Sequence, residues 1–539
     1  MDGGRMQEEM AQQLKRTIKE KRRGERAGSQ DPTGGQLPTP LLSLMPASPS
    51  SRDNETSEST PVGSEQTVQT LSTTSGRPCG TGDTLGGGET LPWEVTEVSG
   101  WPDALLFTFY LEHVLPFLFP FYRPPAHEGG RSWILDMMMS SPVVRQTALC
   151  QSTYFFSRAL GTADCDVAWE RVLVQTKEAF ALLRESLQAV HERGIAGNLR
   201  EAVRALASVM QVQRFDIAVS NFENSHAHLN AAIALTQQIL QSPGDEVDGP
   251  KHRYEAVISR LGPSSWTLPS QCIQVPSAEQ ADFRFSLSLN ILHDIIASAV
   301  LQRKPQLQEY YMFLLQGTGD VKPPINLEDI VGCQNWALIQ IAEISTLDIW
   351  KRQCKATGAL DVMELVRRAT PIKDTLVMQL ARLESNSGEA GIVGDLLPGY
   401  YNQQSGNNIG QSSVTTTRIW AHAALLYLIV VVSGWQPANA DTRYHVARVI
   451  ELLSSELSPP ALLRVVVFPF FIACSLAEPE QQTLLQGLVE SLKPPSIFGT
   501  LYKVLDIMGN VWDSRNRSSS TERELFACLR SQGHLVLLV

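Results

Sequence analysis

No aromatic residue occurs before Trp93, although the chain of 539 residues holds 18 Phe, 10 Trp and 11 Tyr. Aromatic side chains carry the largest apolar areas that a core can bury. Residues 1–92 lack them and are rich in Ser, Thr, Gly and Pro, so they have little apolar area to set against the entropy of ordering a backbone. The expected organisation is therefore an N-terminal linker without a core, followed by a folded region over residues 93–539.

Charge divides the linker again. Residues 11–26 read AQQLKRTIKEKRRGER, in which Lys15, Arg16, Lys19, Lys21, Arg22, Arg23 and Arg26 face only Glu20 and Glu25. Met10, Leu14 and Ile18 recur at four-residue steps and Gly24 closes the run, which predicts a basic helical segment within 1–26. Residues 27–92 hold seven acidic residues against Arg52 and Arg77, and read as a disordered acidic linker. The whole chain carries a net charge of −11, which excludes a bulk electrostatic grip on nucleic acid.

From Trp93 onward the apolar period is helical. Within 166–193, Trp169, Leu173, Thr176, Phe180, Leu183, Leu187 and Val190 alternate steps of four and three, and Gly194 provides a stop. Asn198 with Glu201 resembles a capping box ahead of a stripe formed by Leu199, Val203, Leu206 and Met210. Further helical runs are expected at 222–241, 282–302, 306–315, 326–352, 359–383, 413–433, 440–456, 459–476, 479–492 and 497–512. The fold class is all-α, a large multi-helix domain packed in two or more layers, with possible subdivision near 243–281 and 385–412. The longest apolar run, AALLYLIVVV at 423–432, is half the length that a bilayer requires, so a buried core helix is expected and no membrane contact.

Catalytic and metal patterns are missing from the sequence. The eight cysteines stand at 79, 150, 165, 272, 333, 354, 474 and 528, with no Cys-x-x-Cys, which suits a reducing compartment. No phosphate loop, serine elbow or His-Glu-x-x-His occurs. The glycines at 80, 82 and 86–88 lack a preceding strand. His226 and His228 are two apart, so on a helix they diverge, and surface or capping roles are expected. Glu112 and His113, inside the apolar stretch 104–125, are expected to split between an exposed face and a core hydrogen bond.

Several blocks carry a family resemblance. WPDALLFTFYLEHVLPFLFPFYRPP and GGRSWILDMMMSSPVVRQTALCQSTYFFS (129–157), then IWAHAALLYLIVVVSGWQP (419–437), FPFFIACSLAEPEQQ (468–482), KVLDIMGNVWDSR (503–515) and GHLVLLV (533–539), resemble the fungal-specific transcription-factor regulatory domain of binuclear zinc-cluster regulators. The resemblance extends to the acriflavine-sensitivity-control and sexual-development subfamily. MDGGRMQEEMAQQLKRTIKEKRR resembles the linker that follows the DNA-binding module there. That module holds two zinc ions on six cysteines, and no six-cysteine pattern occurs in this chain. No zinc ligand is therefore carried over, and no cofactor is expected in this chain; two zinc ions are expected only if a cluster is encoded upstream, a missing exon being the favoured explanation and true loss of the cluster the alternative.

The resemblance implies a nuclear regulator of RNA polymerase II transcription, not an enzyme. Its helical domain would sense a ligand or partner, and its basic residues 15–26 would serve nuclear import. Implied partners are a homodimer or family heterodimer and the transcription machinery or co-regulators, with DNA reached only through the missing upstream module. A second reading is an interaction protein deficient in DNA binding, which dimerises with or titrates full-length relatives.

Overall fold

A computed structural model describes residues 102–539, apart from 125–128, 162–165, 220, 245–248, 263–266, 269–272, 318–321, 386–402, 518–524, 532–537 and 539. The segments 1–26 and 27–92, with the helix and the disorder expected there, lie outside the described residues, as does most of 385–412.

The described residues form the expected all-α fold. The first helices are α1 (Asp103–Phe109), a π-helical turn (Tyr110–Val114), α2 (Leu115–Leu118), α3 (Ser132–Ser140), α4 (Pro142–Ala159), α5 (Asp166–Arg193), α6 (Leu199–Ala218), α7 (Phe222–Gln241) and α8 (Gly249–Arg260). A two-residue antiparallel pair, β1 (Thr267–Leu268) with β2 (Ile273–Gln274), precedes α9 (Ala278–Leu301). Then come α10 (Gln308–Leu315), α11 (Glu328–Val331), α12 (Asn335–Ala356), α13 (Val362–Ser385), α14 (Gln403–Ser433), α15 (Ala440–Glu451), α16 (Val467–Leu476), α17 (Pro479–Glu490), α18 (Gly499–Arg517) and α19 (Ala527–Ser531). Short 3-10 turns at Pro460–Val466 and Pro495–Phe498 lead into α16 and α18.

Two groups of helices pack on each other. Helices α4, α5, α6 and α7 form an antiparallel set against α9, and α12 to α16 gather around α14. The contact of α9 with α12 joins the two groups. Both central helices are apolar almost all round, which suits a helix covered on every side. The spans 278–301 and 410–433 are long and apolar enough to cross a membrane, but 83% and 78% of the most apolar 18-residue stretch in each is buried within the protein. AALLYLIVVV is thus part of a core helix, as expected.

Helix α9 begins in a capping box, where Ser277 Oγ accepts from the Gln280 amide at 3.2 Å and Gln280 Oε1 accepts from the Ser277 amide at 3.0 Å. Its few polar side chains tie it to neighbouring helices. Asn290 Nδ2 donates to Thr236 Oγ1 at 2.8 Å, Ser298 Oγ donates to Ser345 Oγ at 3.0 Å, and Asp294 Oδ2 accepts from the Leu307 amide and the Tyr311 hydroxyl, each at 2.8 Å. Buried polar atoms satisfied this way avoid a desolvation cost of about 1–3 kcal/mol each. Around α14 the packing is aromatic: Trp420 stacks on Phe468 at 5.7 Å, and Phe526 lies on Phe468 and Phe471 at 6.0 and 5.7 Å.

Local expectations fail in two places. The run 326–352 is broken at Gly332, whose φ is +72° and where a Cβ would stand 2.4 Å from the Phe121 ring. The left-handed backbone and the ring behind it end α11, and α12 starts afresh. At Asn198 no capping box forms: its side-chain Nδ2 donates to Gly194 O at 3.3 Å, while Glu201 pairs with Arg204 at 2.7 Å.

Candidate functional site

Helix α6 carries its apolar stripe through Val203, Leu206 and Met210, all buried. One helical step of four beyond Met210 comes Arg214, where the stripe calls for another apolar residue. Its side chain turns into a cavity of about 120 Å³. The guanidinium carbon lies 4.1 Å from the ring centre of Phe119, on the strand-like end of α2, and 6.0 Å from that of Phe285 on α9. Arg214 is half-buried as a residue and lines the cavity. Its Nη2 is buried with no hydrogen-bond acceptor, and no ion pair holds it among the described residues.

A second arginine reaches the same cavity from the far end of the chain. Arg464, in the turn Pro460–Val466, lies 4.4 Å over the Phe117 ring and donates from Nη1 to the Phe117 carbonyl. Burial pulls Arg214 down to about 9 and Arg464 to about 10, and Arg464 also depresses Arg214 by like-charge repulsion. Both remain cations near neutrality. No carboxylate contributes to either shift.

The other titratable groups here are neutral. Burial and then the Arg214 charge drive His293, on α9, down to about 3; its Nδ1 is 3.4 Å from Gln213 Nε2. Burial drives the Tyr110 hydroxyl up to about 12. The rest of the wall is apolar, with Leu118, Leu292, Ile296 and Trp420 among its members, and the N-terminus of α18 supplies Gly499, Thr500 and Leu501. Leu538 closes one side.

Elsewhere, many charged groups are paired or exposed, although Asp282 on α9 is buried with only the Ser286 hydroxyl beside it, at 3.4 Å. Asp216, two residues beyond Arg214, holds His228 Nδ1 at 2.7 Å with both side chains buried. His228 is therefore a core partner of α6, which corrects the surface or capping role expected for it; His226 is half-buried with Nε2 3.4 Å from Asn230 Nδ2. Their divergence around α7 is as expected. Glu112 and His113 are both exposed on the π-helical turn, so neither acts as a core partner. His422 and His445 approach to 3.0 Å through their Nδ1 atoms, and burial followed by the His445 charge sends His422 down to about 3. A wider hollow of about 360 Å³ between α5 and α7 is lined by Leu187, Val190 and Leu235 and has no buried charge.

No metal fits the described residues, among which no three His, Cys, Asp or Glu side chains gather. Cys150, Cys333 and Cys474 are buried singly, and Cys354 and Cys528 are half-buried. A zinc pair has no donors here. The seven basic residues Lys15 to Arg26 lie outside the described residues. Arg214 and Arg464 went unnoticed in the sequence reading, though each interrupts an apolar pattern.

Residues 105–539 match the family described as the fungal specific transcription factor domain. "Transcription factor dibT" of Pestalotiopsis microspora is 34% identical over 443 residues, covering 80% of this chain and 70% of the relative. "Pestheic acid cluster transcriptional regulator 3" of Pestalotiopsis fici is 27% identical, over 77% of this chain and 72% of the relative. "Trichothecene biosynthesis transcription regulator TRI10" of Trichoderma arundinaceum is 24% identical, over 80% of this chain and 97% of the relative. No solved structure matches the chain.

Proposed function

The chain belongs to the fungal specific transcription factor domain family, and from that premise we propose that it is the regulatory body of a nuclear RNA polymerase II regulator whose central cavity reads a small effector. The observation that carries the reading is the cavity's construction. Its walls run from Phe117 to Leu538, and the Arg464–Phe117 hydrogen bond joins the beginning and the end of the helical region. A molecule held there touches both helix groups at once, so it has different contacts in any two packings of those groups. Such differential contact is what a ligand needs to shift a conformational equilibrium.

The relatives' names speak of biosynthesis and of a metabolite cluster, which supports control of a biosynthetic gene set by this chain. The order of the blocks from 104 to 539 supports the acriflavine-sensitivity-control and sexual-development subfamily. In this reading 1–26 is a basic segment in which Lys15, Arg16, Lys19, Lys21, Arg22, Arg23 and Arg26 serve nuclear import. Residues 27–92 are a spacer and 93–539 are the regulatory domain. DNA is reached through a six-cysteine module outside this sequence, and the chain pairs with a second copy, a relative or co-regulators.

A second reading is favoured by the trichothecene regulator, 97% of which aligns with this chain and which therefore has little sequence beyond the shared region. On that reading this chain works without its own zinc cluster, by pairing with or titrating full-length relatives.

The test is a reporter. The full chain is fused to a heterologous DNA-binding module and expressed in a fungal nucleus beside the same fusion carrying Leu292→Trp, which fills the cavity. The expected result is a changed and effector-insensitive output from Leu292→Trp. Equal output from both fusions under all growth conditions refutes the effector pocket.

A further inference from the structure

Leaving Arg214 bare is expensive. A buried N–H without an acceptor costs about 1–3 kcal/mol, and more when it is charged. Several buried or half-buried ions elsewhere meet an opposite charge directly: Arg204 with Glu279 at 2.8 Å, Arg418 with Glu456 at 2.7 Å, and Asp216 with His228 at 2.7 Å. At the cavity neither arginine does so. Among the described residues Arg214 Nη2 has no acceptor, and Arg464 uses one N–H on the Phe117 carbonyl. The two guanidiniums also repel each other.

We propose that the cavity binds an organic carboxylate with a small apolar frame, its carboxylate between Arg214 and Arg464 and its hydrocarbon against Phe117, Leu118, Leu292 and Ile296. This rests on the effector-pocket reading above and names the class of effector.

Three further observations support it. Among the described residues the wall supplies no negative charge: His293 is held neutral, and beside Arg214 the Tyr110 hydroxyl keeps its proton. Gly499, Thr500 and Leu501 bring the positive end of the 19-residue helix α18 to the same space. The guanidinium presents a planar fork that matches a carboxylate's two oxygens, and both are preoriented by rings at 4.1 and 4.4 Å. A volume of about 120 Å³ takes a small acid and excludes a large cofactor.

The experiment uses the full chain and follows thermal melting and titration calorimetry with benzoate and hexanoate. Benzyl alcohol, hexanol and inorganic sulfate serve as comparisons. Benzoate or hexanoate is expected to raise the melting temperature saturably, with the neutral counterparts and sulfate binding at least tenfold more weakly. Arg214→Met is expected to abolish the response while melting no lower than the unaltered chain, because it removes an unpaired buried cation. Equal binding of the neutral counterparts, equal protection by sulfate, or a full response in Arg214→Met overturns the proposal. Should Arg214→Met fail to fold, Arg464→Lys keeps the charge and loses the fork; it is expected to weaken benzoate at least tenfold, and unchanged binding overturns the proposal. The two readings fail separately. No carboxylate binding, with Leu292→Trp still altering the reporter, overturns the carboxylate alone. Carboxylate binding with a silent Leu292→Trp overturns the transcriptional role of the pocket and supports the site.

Discussion

Arg214 and Asp216 stand two residues apart on α6, and the protein treats them in opposite ways. Asp216 points toward α7, where His228 meets it at 2.7 Å and Phe180 lies over the imidazole at 5.7 Å. Arg214 points toward the cavity, where it meets rings and a second cation. The one position shows what the fold does with a buried charge that serves structure, and the other shows a charge left for something else. Since the same helix accommodates both, the lack of a partner at Arg214 reflects what faces it and not a limit of the scaffold.

The largest expected effect lies on the satisfied side. His228→Ala leaves the Asp216 carboxyl buried alone, and the expected loss is about 3 kcal/mol of unfolding free energy, measured by urea denaturation. A loss near zero would erase the contrast between the two sites. Next comes acid sensitivity at His293. Its folded pKa of about 3 lies below the ordinary 6.5, so the unfolded chain takes up a proton first as pH falls. Its contribution is greatest above pH 6.5 and is lost as pH falls toward 3, amounting to about 2 kcal/mol at pH 5. Asp216 and Asp282 are raised by burial and act in the opposite sense. The check is therefore a difference: His293→Leu should show a shallower decline than the unaltered chain between about pH 6 and pH 4. Identical slopes would mean that His293 charges freely.

Smaller effects sharpen the other side. Without ligand, Arg214→Met should gain about 1 kcal/mol, because an unpaired buried cation is replaced by an apolar side chain of similar length. A clear loss in the same urea series would make Arg214 a structural residue. The smallest effect belongs to Glu364, which holds the exposed Arg367 and Arg368 at 2.6 Å each. The hydrogen bonds from these two arginines lower its carboxyl to about 2, yet Glu364→Gln should leave the melting temperature unmoved, since surface pairs are screened.

Much of the fold was legible because its signal is local. The steps of four and three from Trp169 to Val190 and the stop at Gly194 mark α5 from end to end, Asp166–Arg193. The break at Gly332 was not legible, because its cause is the Phe121 ring, which comes from far away in sequence. His228 was misplaced for the same reason: its partner Asp216 lies on another helix. The candidate site left a fainter trace. Val203, Leu206 and Met210 set a stripe that Arg214 continues, and Arg464 is the only charge within ALLRVVVFPFF. A charge on an apolar face marks a buried ion, but the sequence does not say whether a counter-ion waits across the core. Only the assembled walls reveal that none does among the described residues.

The span of those walls has a consequence for synthesis. Phe117 leaves the ribosome long before Arg464, from which it is 347 residues away. The helices α4 to α7 can gather while translation continues, but the chamber between Arg214 and Arg464 cannot close until Arg464 has been made. A chain that stops short of Arg464 has one guanidinium and one side of the chamber, and the Phe117 carbonyl stays without its donor.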